Sequence, residues 1–400
     1  MQNPDVFVAG VGVISALGKD RDENVFALQS GRSGIGPISL LKTMHRNTYP
    51  VAEVRYANEE LEKLTGFTSG ISRTALLSCM AATEAMHHAG IPTQHSFRIG
   101  FVSANSVGGM DKSEDFYEAF HDDSTKGNLE QVIHHECGSV TELVADKLGI
   151  RHFVSTISTA CSSSANAIFH AARLIKNNIL DIVIAGGTDS LTRFTLNGFS
   201  TLMILDTSPC KPLDENRKGL NLGEGAGYLV LVSENALKQL KATPLCKLSG
   251  YHNANDAHHQ TASSPEGIGS FLAMQGALNK SGIQPRDIGY INLHGTGTQN
   301  NDQSEGTAIR RVFGDSLPKL SSTKTFTGHT LGASGGIEAV YSVLSLKHGY
   351  IYPNLRFETP MKEIALLPET EFSIDPSIKH VLSNSFGFGG NCTSLIFSAC

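Results

Sequence analysis

The sequence predicts an α/β protein made of two related halves, and three observations predict it. Short β-branched runs alternate with amphipathic helical stretches, which implies βαβ units and sheets covered on both faces. The order of strand, small-residue turn and helix recurs in the second half of the chain. The length of 400 residues, 40% hydrophobic and 18% charged, exceeds one ordinary core.

The first half, 1–243, opens with a strand candidate Val6-Phe7-Val8-Ala9 and a turn Gly10-Val11-Gly12. Ile99-Gly100-Phe101-Val102 reads as a second strand, and the run Val154 to Ile157 as a third. That third run leads into Thr159-Ala160-Cys161-Ser162-Ser163-Ser164 and a helical stretch from Ala165 to Lys176. Ile182 to Gly187 and Tyr228 to Val232 supply the last two strands of this half. The second half, 244–400, starts with Leu245 to Leu248, and Tyr290-Ile291-Asn292-Leu293 ends at His294. Gly328-His329-Thr330-Leu331-Gly332 is followed by a helix with Ile337, Val340, Tyr341 and Leu344 on one face, and Ser394 to Ser398 closes the chain. In this alignment the Cys161 and His329 turns occupy corresponding places, so strand ends from both halves are expected to meet at one central site. Asp111 to His135 is polar and reads as a solvated surface excursion with a loop over residues 122–127.

A net charge of -6 argues against a general nucleic-acid surface. The seven cysteines are irregularly spaced, giving neither a disulfide framework nor a C-x-x-C metal pattern. The N-terminal residues lack a basic region with an apolar run, and no stretch reaches the roughly 20 apolar residues of a membrane span. A reduced cytoplasmic enzyme is the expectation. The Gly10-Val11-Gly12 turn has Ser15 where a dinucleotide loop needs its third glycine. The clusters His134-His135-Glu136-Cys137 and His258-His259 lack zinc-site spacing, so no metal is expected.

Cys161 stands between a strand and a helix. Unpaired helical N–H groups and the helix dipole there favour a thiolate and can also hold an oxyanion. The small polar neighbours Ser162, Ser163 and Ser164 suit a helix start better than an apolar core. His294 and His329 lie in small-residue turns, and Lys324 precedes the second. A cysteine, two imidazoles and a cation have complementary roles in thioester chemistry.

Four segments together, residues 159–163, 294–298, 324–329 and 384–391, resemble the β-ketoacyl-[acyl-carrier-protein] synthases of the elongating type with a Cys-His-His site. Asn221 to Gly227 and Asp256 to Pro265 add to the resemblance, which runs from Val6 to Phe397. It implies a thiolase-like fold and a decarboxylative condensation in fatty-acid synthesis. An acyl group on Cys161 would be joined to malonyl carrier protein, with release of CO2. It further implies that His294 and His329 stabilise the enolate, and that the N–H groups of Cys161 and Phe388 hold the second oxyanion. Lys324 matches a lysine paired with a glutamate, here Glu305, and Glu338 falls behind the site. Thr296 and Thr298 would line a phosphopantetheine tunnel, His259 and Thr261 the malonyl pocket, and Phe388 would act as a gate. The chain itself would bind no cofactor, the phosphopantetheine being carried by an acyl carrier protein. A homodimer is implied, with a heterodimer as the alternative assembly. Lys63, Arg73 and Arg217 are candidate docking cations for an acidic carrier.

The chain departs from the family pattern in two places. The segment from Val132 to Val140 is more polar than usual, which bears on acyl-chain preference. Asn391 stands where a threonine is common and Cys392 where an asparagine is common, so the hydrogen bonds behind the gate should differ. Competing readings are a ketosynthase of a polyene or polyketide pathway, a non-catalytic chain-length partner, and a thiolase using Cys392 as a second cysteine. The Cys161-His294-His329 set speaks against the last two.

Overall fold

The computed structural model describes residues 4–68 and 70–400. Ten strands carry the fold. Five belong to the first half: β1 (Val6–Ser15), β2 (Ile99–Ala104), β3 (Phe153–Ile157), β4 (Ile182–Asp189) and β5 (Gly225–Ser233). Five belong to the second: β6 (Cys246–Asn255), β7 (Tyr290–Asn292), β8 (Lys319–Ser321), β9 (His380–Phe386) and β10 (Asn391–Ser398). The halves therefore meet between Ser233 and Cys246.

Spatial order reveals the duplication. The first half runs β1-β5-β4-β2-β3 and the second β6-β10-β9-β7-β8, the same permutation of chain order. Parallel and antiparallel pairings also coincide, with β2 and β7 parallel to both their neighbours and β5 and β10 antiparallel to theirs. The two five-stranded sheets touch through a short antiparallel ladder, Phe7 with Lys247 and Val8 with Cys246.

Helices cover both sheets and fill the space between them. The outer helix α1 (Arg73–His88) lies on β1, β5 and β4, and its counterpart α3 (Ile268–Ser281) lies on β6 and β10. Two inner helices, α2 (Ser163–Lys176) and α5 (Ser334–His348), touch strands of both sheets and each other. Between α3 and α5 in the chain comes α4 (Gln299–Phe313), packed on α3. The inner helices are buried nearly all round, which is why α5 reads as Gly, Ala, Val and Ser rather than as a one-faced helix.

Two readings need correction. Gly10-Val11-Gly12 is not a turn but the middle of β1, whose residues are all buried. A Cβ at Gly10 would lie 2.4 Å from the Ala85 carbonyl oxygen and one at Gly12 2.1 Å from that of Ala81, so these glycines let α1 approach the strand. The excursion from Asp111 holds as a surface feature: its helix at Met110–Asp122 has no buried residue, and an exposed loop joins it to a 3-10 turn at Leu129–Val132. The strands β8 and β9 were not foreseen; β8 has only three residues and β9 carries Ser383, Asn384 and Ser385 in place of an apolar run.

Candidate active site

The nucleophile turn is built from β3 and α2. Between them Ala160 adopts φ 53°, a left-handed conformation that its small side chain tolerates at modest cost. The hydroxyl of Ser163 accepts from Thr159 N–H at 2.7 Å and donates to Ala160 C=O, closing the turn and presenting Cys161 at the start of α2. Cys161 is buried. Burial pushes its thiol up to about 11, while the Phe388 N–H, the Lys324 charge and its own N–H pull the other way. Burial thus works against the expected preference for thiolate and favours the thiol at rest.

His294 follows β7. Its loop folds back on α4, where Asp302 and Glu305, three residues apart, share a face. Glu305 accepts from His294 N–H at 3.0 Å and Gly295 N–H at 2.7 Å, and Asp302 from Thr296 N–H at 3.0 Å and Gly297 N–H at 3.2 Å. Asn384 adds a third donor to Glu305 at 3.1 Å. The expected pairing of Lys324 with Glu305 is wrong. Lys324 is ion-paired with Glu338 on α5, and Glu305 is engaged with the backbone of the His294 loop. Both glutamates are fully buried, and burial raises each to about 7.

The imidazole tautomers follow from their neighbours. Lys324 Nζ lies 3.2 Å from His294 Nδ1; an ammonium can only donate, so Nδ1 accepts and the proton sits on Nε2. Leu331 N–H donates to His329 Nδ1 at 3.0 Å, which again leaves the proton on Nε2. Burial first, and the Lys324 charge second, hold both rings well below the usual histidine range. They are thus neutral Nε2–H donors. Their rings meet edge to face at 5.4 Å.

The His329 turn is held by the other half of the molecule. Asn221 C=O accepts from His329 N–H at 2.7 Å, and Asp189, at the end of β4, accepts from Gly332 N–H at 2.7 Å. Asp189 also takes Ser106 and Val107 N–H groups, and burial lifts it to about 6. Sequence reasoning missed Asp189; the available signal was a carboxylate closing the apolar strand from Ile182.

A pocket of about 440 Å³ collects Cys161, His294, His329, Thr296, Thr298, Thr261 and Phe388. His259 is outside that lining, exposed, with its Nδ1 accepting from Thr261 N–H. Phe388 sits in a tight turn after β9, its ring stacked on Phe199 at 5.9 Å. Gly389, at φ 78°, gives that turn its left-handed step.

Two candidate docking cations are spent in the interior. Arg73 is buried and paired with Glu224 at 2.7 Å, and Arg217 is buried and donates to the Asp214 and Gln299 carbonyls. Lys63 is exposed, and Lys218, not foreseen, is exposed at the pocket rim. Cys392 is buried 4.0 Å from Ser270 with its thiol pushed up to about 12, and Cys161 is the one cysteine lining the pocket. A thiolase-type second cysteine is therefore not in place.

One neutral thiol, two N–H groups at its sulfur and two imidazole N–H donors open onto one cavity. That set can accept an acyl group and stabilise two different oxyanions. Comparison with known proteins agrees. Residues 3–236 match the family model described as beta-ketoacyl synthase, N-terminal domain, and residues 245–358 match beta-ketoacyl synthase, C-terminal domain. The chain is 32% identical to 3-oxoacyl-[acyl-carrier-protein] synthase 2 of Staphylococcus aureus (strain COL), over 99% of this chain and 98% of that protein. It is also 32% identical to the protein of that name from Coxiella burnetii, over 100% and 99%. Among solved structures, the ishigamide ketosynthase/chain length factor superposes with a TM-score of 0.92 at 26% identity, covering both chains completely. The ketosynthase ApeO in complex with its chain length factor ApeC from Xenorhabdus doucetiae gives a TM-score of 0.82 at 32% identity, covering 100% of this chain and 99% of that one.

Proposed function

The chain belongs to the β-ketoacyl synthase family, and on that premise we propose how its residues carry out the condensation of fatty-acid synthesis. The observation that carries the reading is the convergence of Cys161 with two neutral Nε2–H imidazoles in one pocket.

Cys161 sulfur attacks the carbonyl carbon of an acyl thioester on an acyl carrier protein. The oxyanion rests on the N–H groups of Cys161 and Phe388, and the carrier thiol leaves with the cysteine proton. Malonyl carrier protein then enters, its phosphopantetheine arm passing Thr296 and Thr298. Loss of CO2 leaves the bond pair as an enolate, whose oxygen accepts from His294 and His329 Nε2–H. The enolate carbon attacks the acyl thioester on Cys161; the same two backbone N–H groups hold the new oxyanion, and its collapse expels the cysteine as a thiolate, which takes a proton from water to return to the thiol. The product is a 3-oxoacyl carrier protein two carbons longer than the acyl donor. Lys324 fixes the His294 tautomer and its charge keeps both rings neutral, so that they donate without becoming imidazolium. No cofactor of the chain's own enters these steps.

The partner is an acidic carrier protein, with Lys218 at the rim as its nearest cation. The assembly is a dimer through β3, an edge strand whose residues are all at least partly exposed. Exposed Tyr117, Ile133 and Phe194 line an apolar groove on the same half, one of about 700 Å³ formed in part by residues 132–139. That groove supports a second reading, a ketosynthase of a polyketide or polyene pathway with a chain-length partner. All seven cysteines are unpaired, in keeping with a cytoplasmic setting, and no helix among the described residues is long and apolar enough to cross a membrane.

Intact-mass measurement with acyl carrier proteins of graded length, followed by malonyl carrier protein, tests the reading. An adduct on Cys161 that is consumed as a longer 3-oxoacyl product forms supports it; no adduct with any donor contradicts it.

A further inference from the structure

Asn391 opens β10 immediately after the Phe388 turn. Its backbone carbonyl accepts from Gly387 N–H at 2.8 Å, so it forms the far root of that turn. Its side-chain Oδ1 points the other way and gathers three donors: Ser162 Oγ–H at 2.7 Å, a proton it shares with Thr159 C=O at 2.8 Å, Asn166 Nδ2–H at 2.8 Å and Asn253 Nδ2–H at 2.7 Å. Ser162 directly follows the nucleophile, Asn166 lies one turn further along α2, and Asn253 is on β6. Strand periodicity explains the grouping. Asn391 and Thr393 are two apart and share a face, and Thr393 is the cross-strand partner of Asn253. Asn166 completes the cluster by accepting from Thr393 Oγ–H at 2.7 Å and donating to Thr159 Oγ at 2.9 Å.

One residue thus holds both sides of the oxyanion hole. The Phe388 N–H comes from the turn that Asn391 closes, and the Cys161 N–H from the turn that Asn391 grips through Ser162. The two backbones are already close: a Cβ on Gly387 would lie 3.0 Å from Thr159 O and 3.2 Å from Cys161 N. Two N–H groups serve one oxygen only if their spacing is fixed, and those groups belong to opposite halves of the molecule. We propose that Asn391 is a positioning residue that sets the Phe388 N–H in register with the Cys161 N–H, so that its side-chain carbonyl governs acyl transfer without touching substrate.

This inference rests on the condensing reading, and its test separates the two. Two reactions of Cys161 are compared: acylation by hexanoyl and decanoyl carrier protein, which passes through an oxyanion, and alkylation by iodoacetamide, which does not. Asn391→Ala is expected to slow acylation about 30-fold with KM for the carrier unchanged, while alkylation stays within about twofold. Asn391→Thr, which restores an acceptor oxygen, is expected to recover most of that loss. Ser162→Ala, a smaller change for use where Asn391→Ala does not fold, is expected to slow acylation about threefold and to add little in the double variant, as for residues acting through one contact. Equal loss in acylation and alkylation, no loss in either, or a Thr variant no faster than the Ala variant overturns the proposal. A wild type that accepts no acyl group overturns the condensing reading and this inference with it.

Discussion

The Cys161 turn and the His329 turn occupy equivalent places in the two halves, each joining the third strand of its half to an inner helix. They have been put to opposite uses. From β3 the chain reaches α2 through residues 158–162 alone, so the thiol falls directly at the helix start. From β8 it takes residues 322–333, with a short helix at Lys324–Thr327 and a 3-10 turn at Leu331–Ala333, before α5 begins. The longer path places Lys324 beneath His294 and turns His329 so that Nδ1 faces backbone N–H. The short turn presents an electron-rich sulfur to donors, and the long turn supplies donors to a substrate oxygen. The two halves share a scaffold, and the unequal length of these connections makes the chemistry asymmetric.

The comparison breaks most sharply if each turn is disabled separately. Cys161→Ser is expected to lower condensation at least about 1,000-fold while malonyl carrier protein is still decarboxylated. His329→Ala should do the reverse, leaving Cys161 open to alkylation while decarboxylation falls about 100- to 1,000-fold. Product quantification by mass spectrometry reads both. If both variants lose both reactions equally, the division of labour is wrong.

Removing the cation beneath His294 should cost stability as well as rate. Lys324→Met leaves Glu338 buried and unpartnered, a change of about 3–5 kcal/mol for a carboxyl forced to ionise. A carboxyl whose folded value lies above its ordinary 4.5 favours the folded state at low pH and loses that advantage as pH rises through the folded value. Glu338 stands at about 7 with the lysine present and higher without it, so denaturant midpoints of Lys324→Met should fall steadily from pH 5 to pH 8. In the wild type Glu305 and Glu338, both raised to about 7, give a slope of the same sign that ends near pH 7, and Glu305→Gln should lessen it.

Smaller effects sharpen the contrast. Asp189 ties the His329 turn to the first half, and Asp189→Asn replaces an acceptor with a donor facing backbone N–H groups. A stability loss of about 1–3 kcal/mol and about a tenfold lower kcat are expected, measured by denaturation and steady-state assay. Alkylation of Cys161 should rise with pH through pH 9 without a plateau, because its thiol stands at about 11. A plateau near pH 7 would mean that the helix terminus prevails over burial.

Much of this was legible in the sequence. The alternation of strands and helices, the matched turns and the residues Cys161, His294, His329 and Lys324 could be read directly, because small residues around a nucleophile and glycines around loop histidines are local signals. The pairing of Lys324 was not legible. Glu305 and Glu338 are both buried acids near the site, and only the fold decides that one meets the lysine and the other the loop backbone. Arg73 and Arg217 read as surface cations because charge in a sequence carries no depth. The polar strand β9 was hidden for the same reason: Ser383, Asn384 and Ser385 are interior residues. Gly10 and Gly12 imitate a turn although they answer to a helix packed 70 residues away.

The most direct measurement is a single-turnover experiment on wild-type protein. Cys161 is first charged with an acyl carrier protein, and malonyl carrier protein labelled in its free carboxyl is then added. The predicted result is loss of the acyl mass from Cys161 at the same rate as release of labelled CO2 and formation of the 3-oxoacyl product. A stable acyl-Cys161 that never yields the longer product, or CO2 release with no acyl group ever found on Cys161, would contradict the account.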